Sequence, residues 1–414
     1  MNVVTYAGLR DARPEQWKEA ADDFAALATY VNQASVDLRG DTGAKVDEHW
    51  ADDTGKQASA RLYALAGKLD SAYDLLYAVK MVLEGMHTTV QTAQSTLNEA
   101  LHLASEYGID LDDQGRPTGQ ETQYQVVAEI AALHSQALRQ ATDADNAARA
   151  ELAKLRAAVG VTDPGKALTL QGEASHIEMN AFAGMIPAGQ DPATVALWWS
   201  GLTPQEQHDL MLAEPVQLTK LDGIPESAKA QMRGTDGKFD RTKMVDYALQ
   251  NWNTKDPTHF DNNCTNFVSE ALLHAGMQRK MGFWSGVKGG DDWGKESGTG
   301  WDLLDTHLYF SDSWAGAEAQ QNFMLKHGGE EVPRSQARPG DIIYYEQQAA
   351  GSSNDPGQTH HAAIVTAVMP DGEIKYTQHT DSYQNVSLQG RLPHETEAEG
   401  QQNVRIVRPH PDWY

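Results

Sequence analysis

Cysteine is almost absent from this chain: Cys264 is the only one in 414 residues. A single thiol excludes any intramolecular disulfide, so the fold needs no oxidising compartment. Positive charge is scarce too. Lysine and arginine total 33 against 58 aspartates and glutamates, a formal net charge of −25. That balance argues against nucleic acid and anionic membrane surfaces as partners. No apolar run approaches the ~20 residues of a membrane span. Residues Met1 to Gln16 offer neither a basic start nor an apolar core, so no Sec-type signal peptide is expected. Apolar content is ordinary, which permits globular cores, and the length suits two or three domains.

What is present first is helix. Trp17, Ala20, Phe24, Leu27, Val31, Ala34 and Leu38 recur in steps of three and four, a heptad seam, and Pro14 suits the first helical position. A longer run follows from Ala58 through Leu62, Leu65, Leu69, Leu76, Leu83, Val90 and Leu97 to Ala104, predicting a helix roughly 70 Å long. A third begins near Glu121 and carries Val126, Ile130, Leu133, Ala137, Ala141, Ala148, Leu152 and Leu155. Joined by short loops, these three should fold back as a long antiparallel helical bundle over residues 1–160. Trp50 and Gly55 lie between the first two helices. A hairpin with Trp and Gly at its tip resembles the WXG100 family of type VII secretion substrates. The family tip is Trp-x-Gly, whereas five residues separate Trp50 from Gly55 here. The family's export signal is also missing, since Leu111 stands four residues after Tyr107.

Residues 161–233 read as a helical connector. Thr203, Pro204 and Glu206 form a capping box with proline at the first helical position. Trp198 and Trp199 suit core packing or domain docking better than glycan binding. The pattern from Trp198-Trp199 through Leu202-Thr203-Pro204 to Gly223-Ile224-Pro225 resembles a connector of actinobacterial effectors and hydrolases.

The remainder, 234–414, is organised around Cys264. Cys264, Phe267, Val268, Ala271, Leu272 and Ala275 share one face of a helix that Gly276 should stop, behind the cap-type residues Asp261, Asn262 and Asn263. A thiol at a helix start sees the positive end of the dipole, which lowers its pKa. Three strand-like runs follow: Ile342 to Tyr345, His360 to Val368 and Ile374 to Thr380, punctuated by Pro339-Gly340 and Asp371-Gly372. A cysteine at a helix start, then a histidine opening a strand, then a polar residue on the next strand is the papain-type order. The stretches NCTNFVSEAL, PGDIIYY, HAAIVT and YTQHT resemble the amidase domain family of the papain-like superfamily, whose wider relatives are the NlpC/P60 and CHAP cell-wall hydrolases.

The resemblance implies a fold class of helical bundle plus papain-like α+β cysteine hydrolase domain. It implies a nucleophile at Cys264 and a base at His361, with His360 a rim residue. The third, orienting residue is His379, matching the family's His-Thr pair, or Gln378, which falls where CHAP relatives keep a Glu. The Cys264 N–H with Asn262 or Asn263 would hold the oxyanion. Relatives usually carry Asp directly before the cysteine, where Asn263 stands here. No cofactor or metal is implied. The implied partners are a peptidoglycan peptide or other amide substrate, a helical secretion partner or a cognate immunity protein. The implied route is signal-peptide-independent export to the cell envelope or beyond. Three readings compete: a toxin that cleaves a protein or small-molecule amide, an inactive interaction protein, and a metallohydrolase using His360, His361 and Asp355.

Overall fold

The computed structural model describes residues 3–118, 123–234, 236–254, 262–281, 291–297, 308–347, 356–389 and 402–414. It divides into two compact units, Met1–Pro187 and Ala188–Tyr414.

The first unit is all helix: α1 (Tyr6–Arg10), α2 (Glu15–Asp37), a π-helical stretch Leu38–Gly43, α3 (Ala44–His49), α4 (Asp53–Tyr107), α5 (Tyr124–Ala157) and α6 (Pro164–Ala183). The 55 residues of α4 make a rod about 80 Å long. Asp52 starts it by accepting from the N–H groups of Thr54 and Gly55, both at 2.9 Å. Gly108 ends it in the left-handed conformation. Two hydrogen bonds show α2 running antiparallel to this rod. Ser35 Oγ donates to Asp70 Oδ1 at 2.6 Å, and His87 Nδ1 lies 3.1 Å from Pro14 O.

Three expectations need correcting here. Pro14 is the N-cap of α2, one residue ahead of the helix. More consequentially, α6 lies along α4, although its residues read as connector. Gln171 Nε2 donates to Asp74 Oδ1 at 3.1 Å, and Gly85 lets the Ile177 backbone approach so closely that a Cβ would sit 2.9 Å from its carbonyl oxygen. The buried face of α6 includes Ala167, Gln171, Gly172, Ala174, Ser175 and Glu178. So little apolar contrast hides the periodicity. The heptad seam of α4 holds from Met86 to Ala104, but Leu65 is exposed and Ala66, Tyr73 and Tyr77 are buried instead. A straight helix drifts about 20° per heptad from a 3.5-residue repeat, so one seam cannot follow its whole length.

The second unit opens with short helices α7 (Pro192–Gly201), α8 (Pro204–Ala213), α9 (Pro215–Lys220), α10 (Glu226–Arg233) and α11 (Arg241–Asn251). The capping box is present: Thr203 N–H donates to Glu206 Oε2 at 2.7 Å, and Glu206 N–H donates to Thr203 Oγ1 at 3.2 Å. Trp199 is buried, in keeping with core packing. Next come α12 (Cys264–His274), a two-stranded ribbon of β1 (Lys295–Ser297) and β2 (Leu308–Phe310), then α13 (Asp312–Ala315) and α14 (Ala317–Lys326). An antiparallel sheet completes the unit: β3 (Glu330–Val332), β4 (Ile342–Gln347), β5 (Thr359–Val368), β6 (Ile374–Gln378), β7 (Tyr383–Ser387) and β8 (Gln402–Arg408). Its spatial order is β3-β8-β4-β5-β6-β7. The three strand-like runs are β4, β5 and β6, at the centre of this order. Phe267, Val268, Ala271 and Leu272 of α12 share one core with Met244, Trp293, Trp314, Tyr344, Ala362, Ile364 and Val407. That shared core seats the start of α12 on the sheet.

The Pro339-Gly340-Asp341 turn has a structural task. Asp341 is fully buried and takes two bonds from Arg408, Nε at 2.9 Å and Nη2 at 2.8 Å, plus the Arg338 N–H at 2.8 Å. Arg241 Nη1 stands 3.7 Å away. Gly340, at φ +86°, admits the Arg241 side chain where a Cβ would meet it at 2.9 Å. Removing one partner of a buried pair strands the other charge, which costs about 3–5 kcal/mol. Asp341→Ala is therefore expected to lower stability by that amount, read as a shift of the urea unfolding midpoint in the intact protein.

Candidate active site

Cys264 is the first residue of α12, with Asn263 as the N-cap. Asn263 places no side-chain cap on the first turn, so the orphan N–H groups at that end remain turned toward the cysteine. Sγ lies 3.6 Å from Thr265 Oγ1, and the backbone N–H groups of Ala362 and Thr265 act on it to favour the thiolate. It is thus set against β5, one residue from His361.

Burial nevertheless decides the thiol's acidity. Cys264 is 3% exposed, and withdrawal from water pushes its pKa up, with the surrounding N–H donors opposing only in part. This corrects the expectation of a lowered pKa. A helix terminus contributes about 0.3–1 kcal/mol, or ~2 in favourable geometry. Full desolvation of an ionised group moves a pKa by up to ~3–5 units, which is the larger effect.

The two adjacent histidines part company, at a point where the β4–β5 register shifts. His360 is half-buried, and its Nε2 lies 2.6 Å from Gln402 Oε1. His361 is 1% exposed, with its ring 5.2 Å from that of Tyr345. Its Nε2 lies 3.1 Å from Gln378 Oε1. The amide orientation of Gln378 is fixed, because its Nε2 donates to Thr380 O at 2.8 Å and Asp381 O at 3.0 Å. Two carbonyls demand the NH₂ end there, so the oxygen faces the imidazole. His361 must then carry its proton on Nε2, leaving Nδ1 as the basic nitrogen. Desolvation lowers the His361 pKa to about 4, although the Gln378 bond and Asp381 act the other way. No hydrogen bond joins Sγ to this imidazole in the described structure, a looseness common before substrate binds.

His379, one of the two candidates for orienting His361, is bonded elsewhere. His379 Nε2 lies 2.6 Å from Thr254 O, and its Nδ1 accepts from Asn263 Nδ2 at 3.3 Å. It ties the end of α11 to the loop before Cys264. Gln378 holds the imidazole instead. Asn263 is also differently employed than expected: its side-chain oxygen accepts from Asn266 Nδ2 at 2.7 Å and its nitrogen is the donor to His379. That carboxamide is engaged at both ends. Asn262 Oδ1 accepts from Thr380 Oγ1 at 2.8 Å. Asp261 and Asp355 lie outside the described residues. His360 and His361 reach different partners and do not converge on a shared ligand point.

Sequence reasoning passed over Asn266 and Thr380. Both sit inside the quoted motifs, NCTNF and YTQHT, but neither is a usual acid, base or nucleophile. Only the contacts single them out.

With this geometry in place, comparison with known proteins is informative. Residues 238–402 match the family described as "Putative amidase domain". The match points, in general terms, to amide hydrolysis for this part of the chain. The Bacillus subtilis (strain 168) protein described as "Uncharacterized protein YhbB" is 30% identical over 158 residues, covering 35% of this chain and 46% of that protein. The chain therefore spans less than half the length of that relative. No solved structure matches.

Proposed function

We propose that residues 188–414 form a papain-like cysteine amide hydrolase in which Cys264 is the nucleophile, His361 the general base and Gln378 the orienting residue. The observation that carries this reading is the convergence of the lone thiol, at a helix start, on the strand bearing a buried imidazole whose far nitrogen is held by an amide of fixed orientation. In the reaction, Nδ1 of His361 takes the thiol proton as Sγ bonds to the substrate's carbonyl carbon. The developing oxyanion is received by the Cys264 N–H. The imidazolium then protonates the departing amine as the C–N bond breaks, leaving a thioester. His361 next deprotonates water, which attacks the thioester and releases the acid and the free thiol.

A neutral resting pair suits this scheme. With the thiol pKa raised and the imidazole near 4, the proton moves only when attack begins. The proposed substrates are peptidoglycan stem peptides or cross-bridges. The bundle is proposed as a delivery or docking module, with a helical secretion partner or a cognate immunity protein as its counterpart. It is a compact unit and contains no cysteine. No described helix is long and apolar enough to cross a membrane.

The test is a panel of purified substrates: peptidoglycan fragments, unfolded proteins and small amides. Each is incubated with the intact protein before and after thiol alkylation, with new amines quantified. Alkylation-sensitive release from peptidoglycan fragments is expected. Release from the other classes alone would replace the cell-wall substrate, and release insensitive to alkylation would end the cysteine mechanism.

A further inference from the structure

The turn that follows β6 makes contacts that orienting His361 does not require. We infer that Thr380 is a positioning residue that locks the nucleophile's backbone to the base's support, so that one turn sets both halves of the site. This deepens the cysteine-hydrolase reading and rests on it.

Two sets of bonds meet at this residue. On the base side, Thr380 O and Asp381 O accept from Gln378 Nε2, which fixes the amide that holds His361. On the nucleophile side, Thr380 Oγ1 accepts the Asn263 N–H at 2.8 Å and donates to Asn262 Oδ1 at 2.8 Å. Asn263 directly precedes Cys264. Asp381, at φ +49°, bends the chain back so that Gln378 and Thr380 serve opposite directions. Ser382 Oγ closes the turn by donating to His379 O at 3.0 Å.

The chemistry of the residue suits that placement. Only a hydroxyl on a short side chain can accept from one group and donate to another at the same atom. Valine has the same shape and can do neither. Serine can do both.

The far side of the loop is already held. Asn266 Nδ2 donates to Asn263 Oδ1 at 2.7 Å, and Trp314 Nε1 donates to Asn266 Oδ1 at 2.6 Å. The Asn263 carboxamide is therefore anchored to α12 and its surroundings, while its backbone N–H is anchored to the β6–β7 turn. Releasing the second anchor frees the peptide plane between Asn262 and Asn263, one plane ahead of the Cys264 N–H that is the proposed oxyanion donor. It also uncouples the position of Sγ from that of His361. A site needs its groups held to within about half an ångström, so loss of one anchor should cost rate without unfolding the domain.

The experiment alkylates the intact protein with iodoacetamide between pH 4 and 9. In that reaction Sγ bonds to the methylene carbon, iodide leaves and the thiol proton passes to His361. Wild type should show a rate plateau between about pH 5 and 8. Thr380→Val should label about tenfold more slowly at pH 7 and lose the plateau, its rate rising with pH as for an unassisted thiol. Thr380→Ser should restore both rate and profile. If Thr380→Val fails to fold, Thr380→Ala carries the same expectation. A valine variant with wild-type rate and profile overturns the proposal while leaving the hydrolase reading intact, and so does a serine variant as slow as valine. If wild type itself lacks a plateau that depends on His361, the hydrolase reading fails and this inference goes with it.

Discussion

Cys264→Ala abolishes amide hydrolysis: turnover is expected to fall by at least about 10⁴-fold, while the thermal unfolding midpoint shifts by no more than a few degrees. Loss of a nucleophile in a working triad typically removes most of the catalytic acceleration, because the remaining members act only through it. The fold should tolerate the change. Cys264 opens α12, buried but outside the large apolar cluster to which Phe267, Val268, Ala271 and Leu272 belong. Cys264→Ser should be nearly as inactive, since a hydroxyl is a far weaker nucleophile toward an imidazole tuned for a thiol. Retained turnover in either variant would show that the chemistry lies elsewhere. A structural cysteine would give the reverse pattern: unchanged turnover and a large loss of stability.

The second large effect concerns pH and His361. The imidazole is buried and its pKa is lowered to about 4, against an ordinary value of 6.5. A base works when deprotonated, so His361 should be competent from about pH 5 upward. Hydrolysis should therefore hold steady through mildly acidic pH and fall only below pH 5, whereas an ordinary histidine would titrate near 6.5. Stability follows the same shift. Above pH 6.5 both folded and unfolded imidazoles are neutral, and the fold bears no penalty. As pH falls toward 4 the unfolded chain binds a proton that the folded one refuses, so stability is lost, by about 3 kcal/mol once pH 4 is passed. His361→Gln should remove this increment of acid sensitivity along with the activity.

Much of this was legible in the residue pattern, for reasons that can be traced. The face of α12 was readable because Phe267, Val268, Ala271 and Leu272 are all large or apolar and all buried. The strands β4, β5 and β6 were readable because Ile, Val and Tyr crowd them between Pro-Gly and Asp-Gly punctuation. β8 escaped because its place between β3 and β4 is a long-range pairing that local pattern does not encode. α6 escaped because Gln171, Gly172, Ser175 and Glu178 break up the apolar pattern of its buried face between Leu168 and Met179. At the site, strand alternation separates neighbours only where the pairing is regular, and the β4–β5 register shifts at His360. Alternation could not choose between Gln378 and His379, because both are polar and adjacent. The choice depends on where the turn after β6 bends, and Asp381 sets that bend with a left-handed backbone conformation that an aspartate tolerates but does not announce. The acidity of Cys264 was misjudged for a related reason. The helix dipole is visible in sequence, whereas the depth of burial that outweighs it is a property of the assembled unit.

The most direct measurement follows the alkylation of Cys264 by iodoacetamide in the native protein, with the site mapped by mass spectrometry, in wild type and His361→Ala across pH 4 to 9. With both groups neutral at rest, thiol attack requires the imidazole to take the proton. The account predicts a wild-type rate that rises as His361 deprotonates near pH 4 and stays level to about pH 8. It predicts a His361→Ala rate at least tenfold lower at pH 7, climbing with hydroxide concentration. A wild-type thiol that labels only on denaturation, or whose rate climbs tenfold per pH unit whether or not His361 is present, would contradict it.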